Sequence, residues 1–205
     1  AYNNLQTLDH VPLIDVEQRL IDNLKNNDAN YWLIDRFEEV HGVSLEKWKP
    51  GRRKRGDRIL IVPPSQKVFN HFGGDAKEFT EKLIKEIKLY TDRPIEIRPK
   101  VGRDKRVSYT VQDQLRPVIY HCIVTYNSIA SLEAITVGMP AVVTGPNAGS
   151  YLSEKDLKNI DEPYYPDTKK LFEHIYYLTL CQLNSNEFRS PNAFKVIESL
   201  QGNNK

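Results

Sequence analysis

The stretch HCIVTYNSIASLEAITVGMPAVVTGP, residues 121–146, decides how the rest of the chain is read. Its opening, 121–125, is a short apolar run, and a strand apolar on both faces belongs in a parallel sheet. The run turns directly into a helix expected over 128–137, with Asn127, Ser128 and Ser131 in its first turn and Gly138 as its stop. Residues 141–144 then supply a second buried strand. Strand, helix and strand in this order make one right-handed crossover unit.

The same alternation extends outward. Upstream, 58–62 is an apolar strand ended by Pro63 and Pro64. Residues 75–90 form an amphipathic helix with Phe79, Leu83, Ile84, Ile87 and Tyr90 on one side and Asp75 as its cap. A second strand is expected at 94–98 and a short helix at 111–115, broken at Pro117. Downstream, helices are expected near 153–160, 168–183 and 192–200. The fold class is α/β: a Rossmann-like parallel sheet flanked by helices, over residues 57–205. Residues 1–50 differ, with helical spacing at Val16, Leu20, Ile21 and Leu24, then at Trp32, Leu33, Phe37 and Val40. They read as a short helical N-terminal lobe. Lys49, Pro50 and Gly51, with the basic run that follows, read as a linker.

In a parallel sheet, ligands bind beyond the carboxyl ends of the strands. That rule selects the loops 63–74, 98–106, 126–128 and 145–151. At the third strand, Thr125, Asn127, Ser128 and Ser131 surround a helix start, whose first N–H groups lack internal partners and carry partial positive charge. They can cradle a phosphate oxygen, or simply cap their own helix; the residues alone leave both open. Glu133 lies at the apolar end of that helix, where a carboxylate needs a ribose diol or a cation as partner unless it faces solvent. After the first strand, Ser65 and Lys67 are positioned to meet a phosphate, and His71 to act on an acceptor hydroxyl or merely to sit exposed. Arg98 and Lys100 follow the second strand. The sequence contains neither a His/Cys cluster nor an Asp-x-Asp pair, so no metal is expected.

Composition sets the outer bounds. Hydrophobic residues make up 40% and charged residues 27%, the balance of a soluble globular protein. No apolar run approaches the ~18 residues of a membrane span, and the first residues lack a signal-peptide pattern. A cytoplasmic location is expected. Cys122 and Cys181 sit in apolar contexts and read as buried thiols. A net charge of +2 is too small to mark a nucleic-acid binder by bulk charge. Its distribution is more specific: Arg52, Arg53, Lys54 and Arg55 form one basic run, and Arg98, Lys100, Arg103, Lys105 and Arg106 form another. Each run reads as a solvated loop or as an attractor of phosphates.

The segment around 118–167 resembles the donor-binding motif of GT-B glycosyltransferases, in which a Ser-bearing helix start, a Glu-Ala and a Gly-x-Pro follow one another. It is particularly similar to bacterial capsule Kdo-transferases and to bacteriophage-encoded glycosyltransferase-like proteins. The likeness loosens over 57–117 and returns in 171–196, at Gln182, Glu187 and Ala193, whereas 1–50 carry none. The resemblance implies a nucleotide-sugar donor as co-substrate, no other cofactor and metal-independent transfer. It implies that Asn127 and Ser128 hold donor phosphate, that Glu133 contacts the ribose, and that Gly145 and Asn147 lie against the sugar or diphosphate. Where relatives carry a His-Pro pair facing the donor phosphate, this chain has Arg98, Pro99 and Lys100, which keeps anion binding and removes a proton-transfer role. The implied acceptor is a modified phage DNA base or a surface glycan. A non-catalytic nucleotide- or nucleic-acid-binding module derived from the same fold is the alternative, with Arg52–Arg55 as its nucleic-acid contact. A complete GT-B enzyme has two such domains, and this chain carries one.

Overall fold

The computed structural model describes residues 51–71, 73–98, 114–115, 117–181 and 189. Its centre is a four-stranded, all-parallel sheet: β1 (Ile59–Val62), β2 (Ile95–Ile97), β3 (Cys122–Thr125) and β4 (Ala141–Val143), in the spatial order β2-β1-β3-β4. Ile59 pairs with both Ile95 and Cys122, and Ile123 pairs with Ala141. The α/β parallel architecture expected from the alternation of apolar runs is therefore present. Every residue of β1, β3 and β4 is buried, as strands covered on both faces must be.

Two α-helices follow β1: α1 (Gln66–His71) and α2 (Ala76–Ile87). The Asp75 carboxylate caps α2 by accepting from the Lys77 and Glu78 N–H groups, both at 2.8 Å. Leu83 and Ile87 of α2 pack into a core with Ile59, Ile61, Cys122, Val124 and Val142. Between β3 and β4 runs α3 (Ala130–Thr136), which packs on both strands. The chain leaves β1 toward one edge and β3 toward the other, so right-handed crossovers set α2 and α3 on opposite faces.

The end of α3 explains why residue 138 is glycine. Gly138 has φ +96° and donates to Ile135 O, while Met139 N–H donates to Ala134 O. This is a Schellman stop, and its left-handed residue is normally glycine. The Arg52 carbonyl presses on the same spot, so a Cβ on Gly138 would collide with it.

Three expectations change. Residues 51–56 are not a free linker: Gly51 N–H donates to Thr136 O, Lys54 N–H to Gly138 O, and the Tyr165 hydroxyl to Gly51 O and Ile135 O. The chain there is a strap fastened to the end of α3, and burial pushes the Tyr165 hydroxyl up to about 12. Residues 153–160 are not an α-helix. Glu154 instead forms a parallel bridge with Val142 beside β4, and its carboxylate accepts the N–H groups of Lys155, Asp156 and Tyr164. Only one-turn 3₁₀ segments occur there, at Ser150–Leu152 and Leu157–Asn159. Finally, α3 starts at Ala130 rather than 128, because the Thr125 and Ser128 hydroxyls accept the N–H groups of Ser128 and Ala130 and hold a turn ahead of it.

Residues Pro50–Leu171 form one compact unit. The last described helix, α4 (Thr168–Cys181), begins in it and continues into a second. The expected lobe at 1–50, most of the 111–115 helix and the 192–200 helix lie outside the described residues.

Candidate functional site

The sheet order places its switch point between β1 and β3, because the chain runs outward from these central strands in opposite directions. Parallel strands carry the loops that follow them to one edge, so Ser65, Arg98, Asn127, Ser128, Gly145 and Asn147 all lie along the carboxyl edge. A hydrogen bond ties the two sides of the switch point, from Thr125 Oγ1 to Val62 O at 3.1 Å.

The centre of this edge is a network of short polar side chains. Ser131 is fully buried, and its hydroxyl lies 3.1 Å from both Ser128 O and Asn147 Oδ1. Asn147 Oδ1 also accepts the Gly149 N–H at 2.7 Å. Its backbone N–H donates to Ser150 Oγ at 2.9 Å. The Gly149 N–H, which can only donate, fixes which end of the amide is oxygen. The other end, Asn147 Nδ2, is buried and has no hydrogen-bond partner among the described residues, and neither does the buried Thr144 Oγ1. A buried polar atom left without a partner costs about 1–3 kcal/mol, so a small polar group, an ordered water included, is expected beside each of them.

The expected residues therefore divide. Thr125 and Ser131 are fully buried with their hydroxyls engaged by the protein, so they shape the edge from beneath. Asn127, Ser128 and Asn147 are half-buried at its surface. Ser65 is half-buried where β1 passes into α1, Lys67 is exposed on α1, and His71 is exposed at the end of that helix. Arg98 is half-buried, and its N–H donates to Ile61 O at 2.9 Å. Glu133 is half-buried in the first turn of α3. Lys100, and with it most of the second basic cluster, lies outside the described residues.

Tyr126 has a role that hydropathy spacing did not reveal. Its ring packs against Phe69 at 5.7 Å and Phe79 at 5.3 Å between centroids. It also covers Gly145 so closely that a Cβ there would overlap the ring. One side chain thus joins α1, α2 and the loop after β4 at the switch point. Tyr126 stood in the quoted stretch, but only long-range packing shows its function.

Arg53, Lys54 and Arg55 lie at the opposite, amino edge. With Arg93, His121 and Glu162 they line a cleft of about 70 Å³. Arg53 meets Glu162 at 3.4 Å and Pro163 O at 3.3 Å, Arg55 meets Glu162 at 3.7 Å, and Arg93 meets Asp161 at 3.0 Å. His121 donates from Nε2 to Ile160 O at 2.9 Å. Burial holds its pKa below the ordinary 6.5, reinforced by Arg93 and opposed by that hydrogen bond. Below pH 6.5 the unfolded chain therefore binds a proton that the native state resists, and stability falls as pH drops toward the lowered folded value. The urea midpoint is expected to fall between about pH 7.5 and 5.5. In His121→Asn that dependence should flatten; an equally steep profile would assign it to another group.

Cys122 is fully buried, and burial pushes its thiol up to about 12, which makes it inert as a nucleophile at neutral pH. The side chain of Cys181 lies outside the described residues. Among the described residues no group of three His, Cys, Asp or Glu side chains is placed to hold a metal ion, and no helix is long and apolar enough to cross a membrane. No protein-family model matches this chain, and no curated protein matches it as a relative.

Proposed function

We propose that the chain binds a nucleotide sugar at the carboxyl edge of its sheet and serves as the donor side of a GT-B-type glycosyltransferase. The observation that carries this reading is the pair of buried, unpartnered donors, Asn147 Nδ2 and Thr144 Oγ1, at the ligand-binding edge of a parallel sheet. Asn127 and Ser128 stand beside them on the turn after β3, and Arg98 stands on the far side of β1. Hydroxyls, an amide and a guanidinium suit a ligand that is a phosphate at one end and a polyol at the other. The sequence likeness of 118–167 to GT-B donor motifs supports the same ligand class.

In the proposed reaction an acceptor hydroxyl attacks the anomeric carbon. The new C–O bond forms as the bond to the donor phosphate breaks, and the electron pair leaves with the nucleotide. Fixed donors at the phosphate stabilise that charge, and His71 is the candidate to take the acceptor proton. The acceptor is a hydroxyl of a glycan or of a modified DNA base.

A thermal-shift screen against nucleotides and nucleotide sugars tests the donor site. A ligand binding only the native state stabilises it by about 2.7 kcal/mol at a hundred times its Kd, a displacement of several degrees. At least one nucleoside diphosphate or monophosphate sugar should act this way, and its parent nucleoside far less. No shift with any phosphorylated ligand would sink the proposal. Donor binding with no release of nucleotide in the presence of glycan or DNA acceptors would select the non-catalytic alternative.

A further inference from the structure

We infer that the cleft at the amino edge of the sheet is a second anion site, which takes the phosphodiester backbone of a nucleic acid. It does not depend on the nucleotide-sugar reading, since it lies at the opposite ends of the same strands.

The cleft, at about 70 Å³, is well below the ~300–1,000 Å³ of small-molecule pockets. It admits one charged group, not a nucleoside or a sugar nucleotide. Four cations line it, Arg53, Lys54, Arg55 and Arg93, against one lining carboxylate, Glu162. Glu162 is shared between Arg53 and Arg55 at long range and is 70% exposed. Asp161, paired with Arg93, is 53% exposed. Solvated ion pairs of this kind contribute only about 0–1 kcal/mol, so a phosphate displaces them at little cost. Lys54 has no carboxylate within 4.0 Å among the described residues.

The cations are also pre-organised. Backbone hydrogen bonds from Gly51 and Lys54 fasten the strap, so its charges are presented without ordering a loop. Arg52 and Arg58 are exposed on either side of the cleft's own cations. Six residue steps, from 52 to 58, reach at most about 20–22 Å. At that limit the row meets no more than about six steps of a nucleic-acid strand at ~3.4 Å each. A repeating anion matches this row, whereas a free phosphate would use the cleft alone.

The test is fluorescence anisotropy of a labelled duplex DNA of about 20 base pairs, titrated with the full chain at about 50 and 150 mM salt. The parent is expected to bind at the lower salt and to weaken steeply at the higher. Lys54→Gln with Arg55→Gln should reduce the log–log salt slope by up to ~1.8. Glu162→Gln should tighten binding, because it releases two guanidinium groups; a purely structural strap would give no gain. Nucleotide-sugar affinity should be unchanged in both variants. Absence of DNA binding by the parent at low salt overturns the inference, as does equal binding by parent and variants. A response to inorganic phosphate with none to DNA would make this a small-anion site and would also overturn it. Loss of DNA and nucleotide-sugar binding together in the double variant, with normal circular dichroism, would place both ligands on one surface and refute a separate site.

Discussion

Gly138→Ala is expected to destabilise the sheet domain by about 3 kcal/mol, more than its chemistry of one methyl group suggests. Residue 138 sits at φ +96°, where an L side chain costs about 1–2 kcal/mol. The added Cβ would also meet the Arg52 carbonyl, so the strap must move. Moving it strains the Lys54 N–H to Gly138 O and Gly51 N–H to Thr136 O bonds, worth about 1 kcal/mol each. Gly73→Ala is the internal control. Gly73 also has positive φ, +70°, but a Cβ there would meet nothing within 4 Å. It should lose only the conformational part. Urea denaturation of both variants checks the contrast, and equal losses would mean that the strap contributes nothing to the cost.

Ser128→Asp should cost little stability and remove most of the affinity for phosphorylated ligands. In the native turn Ser128 Oγ accepts the Ala130 N–H at 3.3 Å, a role a carboxylate retains ahead of a helix. The unfolding free energy should therefore change by less than about 0.5 kcal/mol. A phosphate brought against the new carboxylate meets a like charge at a cost of several kcal/mol. Binding of any ligand that stabilises the parent should then fall by about a hundredfold or more, since each 1.4 kcal/mol is tenfold. Calorimetric titration with the nucleotide and with its unphosphorylated nucleoside measures this: the nucleoside should be little affected. Unchanged nucleotide affinity would remove Ser128 from the phosphate site.

How much could be read before the structure depended on the range of the interactions. Asp75 as a cap and Gly138 as a stop are local: each acts within five residues, and each was legible. β1, β3 and β4 were legible because burial on both faces leaves a short apolar run, and the half-buried β2 because its isoleucines flank Glu96 in strand alternation. Glu154 misled because its bridge to Val142 and its grip on Tyr164 are made with residues twelve and ten positions away. The strap misled for the same reason. Pro50, Gly51 and four basic residues have linker composition, yet the backbone of Gly51 and Lys54 is held by Thr136, Gly138 and Tyr165. At the carboxyl edge, the order of strands and helices identified which strand ends share one side of the sheet. It could not show that Thr125 and Ser131 turn their hydroxyls inward, or that Asn147 anchors the network with its oxygen and leaves its nitrogen over.

The position of β1 has a consequence for how the chain matures on the ribosome. Its apolar residues Ile59–Val62 are central in space but early in sequence, and β3 follows 63 residues later. At synthesis rates of ~5–20 residues per second, β1 waits roughly 3–13 s for that neighbour to be made. During that interval α2, emerging just after the short α1, which buries none of its residues, is the first element able to shield the strand. Weakening the Asp75 cap should therefore lower the yield of correctly matured protein by more than the equilibrium stability of the finished sheet would suggest, because the nascent strand stays open to aggregation for longer.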